Sequence, residues 1–136
     1  LEPETYPGAR QVLRADANWD RFWSLLAEDG PEHGVIALTN AMHAAGHRVL
    51  LFTARPERFR AVTETWLSQH GVCYHELHMR PAEDAERHDL DVKRDMFARA
   101  VGEPARVLFV VEDSQAVVDM WRALGLKCLQ CALGNH

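Results

Sequence analysis

The hydrophobic positions of the chain alternate between stretches where they recur every three or four residues and short runs without interruption. Val35, Leu38 and Met42 recur at helical spacing and are followed by Gly46, and an apolar run over 48–52 begins two residues later. Side chains three and four residues apart share one face of an α-helix, whereas a short continuous apolar run is typical of a strand buried on both faces. This segment is therefore predicted to be a helix, a tight turn and a buried strand.

The same alternation runs through the rest of the chain. It predicts further helices whose apolar faces lie within 19–26, 59–67, 92–97 and 117–124, and further strands at 74–79, 106–111 and 127–132. Strands that alternate with helices of about 12 residues favour parallel pairing with right-handed crossovers. The predicted fold class is α/β, a doubly wound parallel sheet in a single domain over residues 1–136, with 1–18 as a lead segment.

Composition and net charge exclude some classes of function. The 136 residues are 47% hydrophobic, enough for one compact core, and the formal net charge is −5. That charge excludes a broad cationic surface that grips duplex nucleic acid, although local basic clusters remain compatible with it. Three cysteines without a disulfide-dense pattern favour a reducing, cytoplasmic setting. No run reaches the roughly 18 apolar residues of a membrane span, and no signal peptide is present, so we expect no membrane partner.

Some chemically suggestive residues are expected to belong to the core. Cys128 and Cys131 have the CxxC spacing, but residues three apart on a strand point to opposite faces, so we expect buried structural cysteines rather than a zinc or redox site. The tryptophans lie on apolar helical faces and are predicted to be core residues: Trp19, Trp23, Trp66 and Trp121.

Polar residues follow two of the predicted strands. Thr53 and Arg55 end the strand that starts at 48, and Glu112 and Asp113 follow the most hydrophobic run. The carboxyl ends of parallel strands face one crevice, so these side chains should meet there. Carboxylate oxygens suit Mg²⁺, and a hydroxyl, backbone N–H groups and a guanidinium fork can hold phosphate oxygens. A phosphate and divalent-cation site is predicted, although for Thr53 alone a helix cap is an equally open reading.

Three segments resemble, in chain order, three motifs of the haloacid dehalogenase-like (HAD) phosphohydrolases. They are VLLFTAR at 49–55, HDLDVKRDMF at 88–97 and VLFVVEDSQAVVDMWRALGLKCLQCALGNH at 107–136. The match is closest to phage-type polynucleotide kinase 3′-phosphatase domains and spans about 19–136. The resemblance implies a HAD-like Rossmannoid fold. It also implies Mg²⁺-dependent hydrolysis of a nucleotide or polynucleotide 3′-phosphate through an aspartyl-phosphate.

The resemblance assigns catalytic roles to Thr53, Lys93 and Asp113. Thr53 would bind a phosphate oxygen, Lys93 would be a fixed positive charge beside the transferring group, and Glu112 and Asp113 would hold the Mg²⁺. Glu112 stands where close relatives have aspartate, a change that keeps a carboxylate for the metal. The ordinary alternative for Lys93 is a solvated helix lysine.

Three further residues are candidates for binding the substrate. Arg55 and Arg80 would contact its phosphate or sugar, and Asp89 matches an acidic position of the same branch of the family. For Arg80 a plain surface arginine is an equally open reading. The expected partner is a phosphorylated nucleotide or nucleic-acid end. Ser114 replaces an arginine that relatives often carry, which weakens any transfer of substrate choice.

The family's first motif, a strand ending in Asp-x-Asp-Gly-Thr whose first aspartate is the nucleophile, has no direct counterpart. Residues 11–18 are a poor match, because Arg14 interrupts the run and Asn18 stands at the acid/base position. The segment 19–22 resembles a stretch downstream of that motif, which favours a motif strand upstream of Leu1. That strand is central in the family, so we expect an upstream segment, the lead segment or a second chain to complete the sheet. The nucleophile is expected outside this sequence, which leaves the 136-residue chain alone inactive.

Two other classes remain open. A non-catalytic relative could keep the fold and an anion pocket for a nucleotide, a nucleic-acid end or a protein. A response-regulator-like receiver domain shares a sheet, an acidic pair, a threonine and a lysine, but its acids come near the N-terminus and its lysine ends a late strand, unlike Lys93. An upstream strand ending in Asp-x-Asp would favour the enzyme over the non-catalytic relative.

Overall fold

The computed structural model describes residues 11–16 and 33–131, and of 11–16 it describes the backbone. Its strands are β1 (Gln11–Asp16), β2 (Arg48–Pro56), β3 (Glu76–Arg80), β4 (Val107–Glu112) and β5 (Cys128–Gln130). Its helices are α1 (His33–Ala44), α2 (Arg60–Gln69), α3 (Asp89–Ala100) and α4 (Gln115–Ala123). Single turns of 3-10 helix stand at Glu57–Phe59, Ala82–Asp84 and Pro104–Arg106. The predicted helix over 19–26 lies outside the described residues.

The strands form one five-stranded sheet in the order β3-β2-β1-β4-β5, and every neighbouring pair is parallel. Parallel neighbours need long crossover connections, and the four described helices lie in those connections. The predicted doubly wound α/β class is therefore confirmed. None of the helices in the described ranges is long and apolar enough to cross a membrane.

The central position of the sheet is occupied by β1. It runs in register with 48–53 of β2 on one side and pairs with β4 on the other. The lead segment therefore completes the sheet, and the upstream strand expected from the sequence does not stand between β2 and β4. The physical reason is that β2 and β4 would otherwise each present a row of unpaired N–H and C=O groups, and a six-residue strand between them satisfies both rows.

Helices cover both faces of the sheet, and each face has its own apolar cluster. On one face Trp66 of α2 packs with Leu51, and on the other Trp121 of α4 packs with Phe52. Successive strand side chains point to opposite faces, so the continuous apolar run of β2 serves both clusters. Trp66 and Trp121 are 1% and 0% exposed, which confirms them as core residues; the other two tryptophans lie outside the described residues.

The two cysteines of the CxxC spacing have different surroundings. Cys128 is buried in β5, where burial and then the charge of Glu112 raise the pKa of its thiol to about 11. Cys131, one residue beyond the end of β5, is exposed. The prediction of a buried structural cysteine is right for Cys128 and wrong for Cys131.

Candidate functional site

The carboxyl ends of β2, β1 and β4 lie side by side at one edge of the sheet, which we call the carboxyl rim. Thr53 of β2 is in register with Asp16, and Glu112 of β4 is in register with Ala15. Thr53 and Glu112 are therefore two strand spacings apart, about 10 Å, with the end of β1 between them. The parallel sheet thus brings together two predicted site residues that are far apart in sequence.

Lys93 reaches the rim from α3 and is completely buried. Its Nζ lies 3.5 Å from Glu112 Oε1, and both side chains are 0% exposed. Among the described residues, Lys93 Nζ has no hydrogen-bond partner. A buried ammonium is strongly disfavoured unless anionic or hydrogen-bonding groups surround it. Lys93 is therefore not the solvated helix lysine of the alternative reading, and it concentrates positive charge at the rim.

The carboxylate of Glu112 is held by the backbone that follows it. Its Oε2 accepts hydrogen bonds from the N–H groups of Asp113 at 3.2 Å and Ser114 at 3.1 Å. Ser114 is the N-cap of α4 and is itself 4% exposed. A carboxylate at a helix N-terminus interacts favourably with the unpaired N–H groups and the helix dipole there. The second oxygen, Oε1, is left on the side of Lys93.

Thr53 stands inside β2 rather than at a helix start. Its Oγ1 accepts a hydrogen bond from the N–H of Arg55 at 3.1 Å, and the residue is 0% exposed. The first full helix beyond it, α2, has Phe59 as its N-cap. The helix-cap reading of Thr53 is therefore wrong, since the hydroxyl accepts a bond from the backbone of its own strand. A hydroxyl that accepts one bond still has its own hydrogen to donate to an anion.

Arg80 ends β3 and ties three segments together. Its Nε donates to Ala54 O at 2.9 Å, and its Nη1 donates to Asp84 O and Arg87 O, both at 2.7 Å. Its Nη2 donates to Asp89 Oδ1, at the first turn of α3. Arg80 is 7% exposed, so the reading of a plain surface arginine is wrong. The substrate contacts expected of Arg80 and Asp89 stay predictions, and within the protein the two bind each other.

The residues at the rim suit a hard divalent cation. Glu112 and the half-buried Asp113 supply carboxylate oxygens, the ligand type that Mg²⁺ takes. Among the described residues no three His, Cys, Asp or Glu side chains gather into a metal-binding group. Mg²⁺ is commonly held by one or two carboxylates together with waters and substrate phosphate, so the two acids present fit it without a third.

Sequence reasoning missed one feature of this site and gave too little weight to a second. The first is the close approach of Lys93 to Glu112, which depends on how α3 packs against β4 and has no local signal beyond a lysine and a glutamate within apolar runs. The second is the position of Asp16, the last residue of β1, in register with Thr53. Its signal was weak because Arg14 breaks the apolar run before it.

Comparison with known proteins agrees with this geometry. A family profile described as the polynucleotide kinase PNKP phosphatase domain, HAD_PNKP, matches residues 14–136. A solved structure described as the Pnkp1/Rnl/Hen1 RNA repair complex contains a chain that is 25% identical, with a TM-score of 0.79, over 96% of this chain and 45% of that chain.

A second structure, described as the Pnkp1/Rnl/Hen1 complex, is 25% identical with a TM-score of 0.80, over 96% of this chain and 48% of that one. This chain therefore spans about half the length of the chains it matches. The family profile, in contrast, covers nearly all of it. The chain belongs to the HAD-type polynucleotide kinase PNKP phosphatase domain family.

Proposed function

We propose that this domain hydrolyses the 3′-phosphate of a nucleotide or polynucleotide, with Mg²⁺ and through an aspartyl-phosphate. The observation that carries the proposal is the ammonium of Lys93, completely buried and without a hydrogen-bond partner among the described residues. It lies 3.5 Å from Oε1 of Glu112 at the carboxyl rim. A buried cation is stabilised when an anion enters its site, and a phosphoryl group coordinated by Mg²⁺ supplies that anion.

The residues of the rim divide the work of phosphoryl transfer, which depends mainly on positioning and electrostatics. Thr53 donates its hydroxyl hydrogen to a phosphate oxygen. Lys93 offsets the negative charge on the phosphoryl oxygens from below the rim, and its burial strengthens that interaction because little water screens it. Arg55, two residues beyond Thr53, binds further phosphate oxygens with its guanidinium fork.

Asp113 and Glu112 are the residues that would hold Mg²⁺. When bound, the ion neutralises phosphate charge and orients the reacting oxygens. Oε2 of Glu112 accepts hydrogen bonds from two backbone N–H groups, and Oε1 lies 3.5 Å from Lys93 Nζ. Asp113 lies one residue further out and is half-buried, which makes it the more accessible ligand.

A nucleophile outside these 136 residues is the expectation from the sequence, but β1 already fills the central place between β2 and β4 where the family's nucleophile strand lies. Asp16 is the alternative candidate for the nucleophile, because its backbone is in register with Thr53 at the centre of the rim. Asn18 follows two residues later, and an amide cannot act as the acid/base that the family's second aspartate provides. We expect the 136-residue chain alone to be inactive. Hydrolysis by this chain that disappears in Asp16→Asn would identify Asp16 as the nucleophile instead.

The decisive experiment uses the full natural reading frame. The protein should release phosphate from a 3′-phosphorylated oligonucleotide in Mg²⁺ and lose that activity in EDTA and in Asp113→Asn. Asp119→Asn is the matched control, since Asp119 is an exposed acid on α4 and should leave activity unchanged. Activity that survives in both EDTA and Asp113→Asn would refute the proposal.

A non-catalytic role is the second candidate, and Asn18 favours it, because Asn18 stands two residues after Asp16, where the family has its acid/base aspartate. In that case the rim would bind a nucleotide, a nucleic-acid end or a protein without hydrolysis. A full reading frame without an Asp-x-Asp strand, together with no phosphate release from any 3′-phosphate tested, would select this candidate. The similarity to a chain of an RNA repair complex supports an RNA end as the polynucleotide and other proteins as partners. We also propose a cytoplasmic setting, because three cysteines without a disulfide-dense pattern favour a reducing compartment.

A further inference from the structure

The backbone just beyond Thr53 carries two arginines and a phenylalanine in close contact. β2 continues to Pro56, and the turn Glu57–Phe59 follows directly, so this group lies next to the carboxyl rim. The guanidinium carbon of Arg55 lies 4.7 Å from the centroid of the Phe59 ring, and that of Arg58 lies 4.6 Å from it. Both distances are within the range of a cation–π interaction.

The Phe59 ring is a fixed platform. It is half-buried and packs against the apolar cluster of α1 and α2, the same cluster that holds Trp66 and Leu67. An arginine stacked on a fixed ring loses less conformational freedom when it binds a ligand than one that moves freely in solvent. Stacking also uses the face of the guanidinium and leaves the N–H donors at its edge available for a phosphate.

Arg58 differs from most arginines of the described part of the chain in its charge environment. Five others have a carboxylate partner: Arg48 with Glu76, Arg60 with Glu57, Arg80 with Asp89, Arg87 with Asp95, and Arg94 with Asp91. Arg58 is exposed, and among the described residues its contact is the Phe59 ring. In the ranges that the structure describes, no acid forms an ion pair with Arg58.

A cation at this place matters because the chain as a whole is anionic, with a net charge of −5. A polynucleotide is repelled by that net charge, so it needs a local positive contact where its strand passes the protein. A mononucleotide has no neighbouring phosphodiester and gains nothing from such a contact.

We propose that Arg58, stacked on Phe59, binds a backbone phosphodiester of a single polynucleotide strand whose 3′ end lies at the carboxyl rim. This inference rests on the proposed function and makes it more specific, because it selects a polynucleotide end over a free nucleotide. Arg55, on the same ring, holds the reacting phosphate, and Arg58 holds a phosphate further along the strand.

The test compares two substrates in the full-length protein. Arg58→Gln should raise KM for a single-stranded 3′-phosphorylated oligonucleotide about fivefold at low salt and leave KM for a nucleoside 3′-monophosphate unchanged. The salt dependence of oligonucleotide affinity should become shallower, by about 0.7 in the slope of log K against log salt. Phe59→Leu, which keeps an apolar contact but removes the ring, should shift KM in the same direction.

Arg99→Gln is the matched control. Arg99 is also an exposed arginine, but it lies in the last turn of α3, and a crossover helix ends at the amino edge of a parallel sheet, away from the rim. It should leave both KM values and the salt slope unchanged. Equal effects of Arg58→Gln on both substrates, no effect on either, or an equal effect of Arg99→Gln would overturn the proposal.

A binding measurement separates this inference from the proposed function. Fluorescence anisotropy with a labelled single strand that has no terminal phosphate reports the Arg58 contact without any hydrolysis. About fivefold weaker binding in Arg58→Gln, with no change in Arg99→Gln, supports the contact even for a protein that hydrolyses nothing. Unchanged binding in Arg58→Gln rejects it even for an active phosphatase.

Discussion

Removal of the charge on Lys93 should destabilise the domain far more than an ordinary lysine substitution. At 3.5 Å, two unit charges attract by about 5 kcal/mol at an effective dielectric constant of about 20. Most of that attraction offsets the cost of burying the two charges, so the pair itself adds little to stability. Lys93→Met keeps the apolar stem but leaves the carboxylate of Glu112 buried beside no cation, which should cost about 3–5 kcal/mol.

A double-mutant cycle tests this reasoning. Glu112→Gln keeps an amide oxygen for the N–H groups of Asp113 and Ser114 and should also cost about 3–5 kcal/mol, because Lys93 is then the unpaired charge. The double variant should recover about 2–3 kcal/mol relative to the sum of the single variants. Urea unfolding followed by tryptophan fluorescence measures all four free energies. Additive losses, or a loss below about 1 kcal/mol for Lys93→Met, would refute a coupled buried pair.

Three further outcomes follow from the structure. Three nitrogens of Arg80 donate to four acceptor oxygens, whereas the lysine of Arg80→Lys has one nitrogen. This variant should therefore have a free energy of unfolding lower by about 2–4 kcal/mol and faster proteolysis within 81–88. An unchanged urea midpoint would contradict this. Alkylation of the native protein, read by mass spectrometry, should label the exposed Cys73 and Cys131 and spare Cys128, whose burial raises its pKa to about 11. Burial raises the pKa of Glu76, but hydrogen bonds from an arginine and a histidine outweigh this and leave it lowered. Its contribution to stability should therefore be present above the ordinary carboxyl pKa and lost as the pH falls through the lowered value, a loss that Glu76→Gln should reduce.

The fold class could be predicted because its signal is local. The apolar run of β2 and the helical spacing of α1 each reflect the burial of their own residues, and the structure contains both elements close to the predicted bounds. β1 was harder because Arg14 weakens its pattern and because its place is determined by partners distant in sequence. A six-residue strand between β2 and β4 is stabilised by two rows of hydrogen bonds that the sequence does not display.

The candidate site shows the same difference between local signals and contacts that depend on residues distant in sequence. Thr53 and Glu112 could be placed on one edge of the sheet from the order of strands and helices alone. The environment of Arg80 could not be predicted, because its hydrogen-bond acceptors are mainly backbone carbonyls, which every residue type carries. The segment 80–91 is rich in charge, a composition typical of a solvated loop, yet the buried side chain of Arg80 holds that loop together from inside.

Thr53, Lys93 and Asp113 are proposed to form one site for a phosphoryl group bound to Mg²⁺. Isothermal titration of the full-length protein with a 3′-phosphorylated oligonucleotide, with Mg²⁺ and with EDTA, tests it most directly. Mg²⁺ should strengthen binding, Asp113→Asn should remove this gain, and an oligonucleotide without the terminal phosphate should show none. Affinity that is equal with and without Mg²⁺, or equal in Asp113→Asn and the unaltered protein, would contradict it.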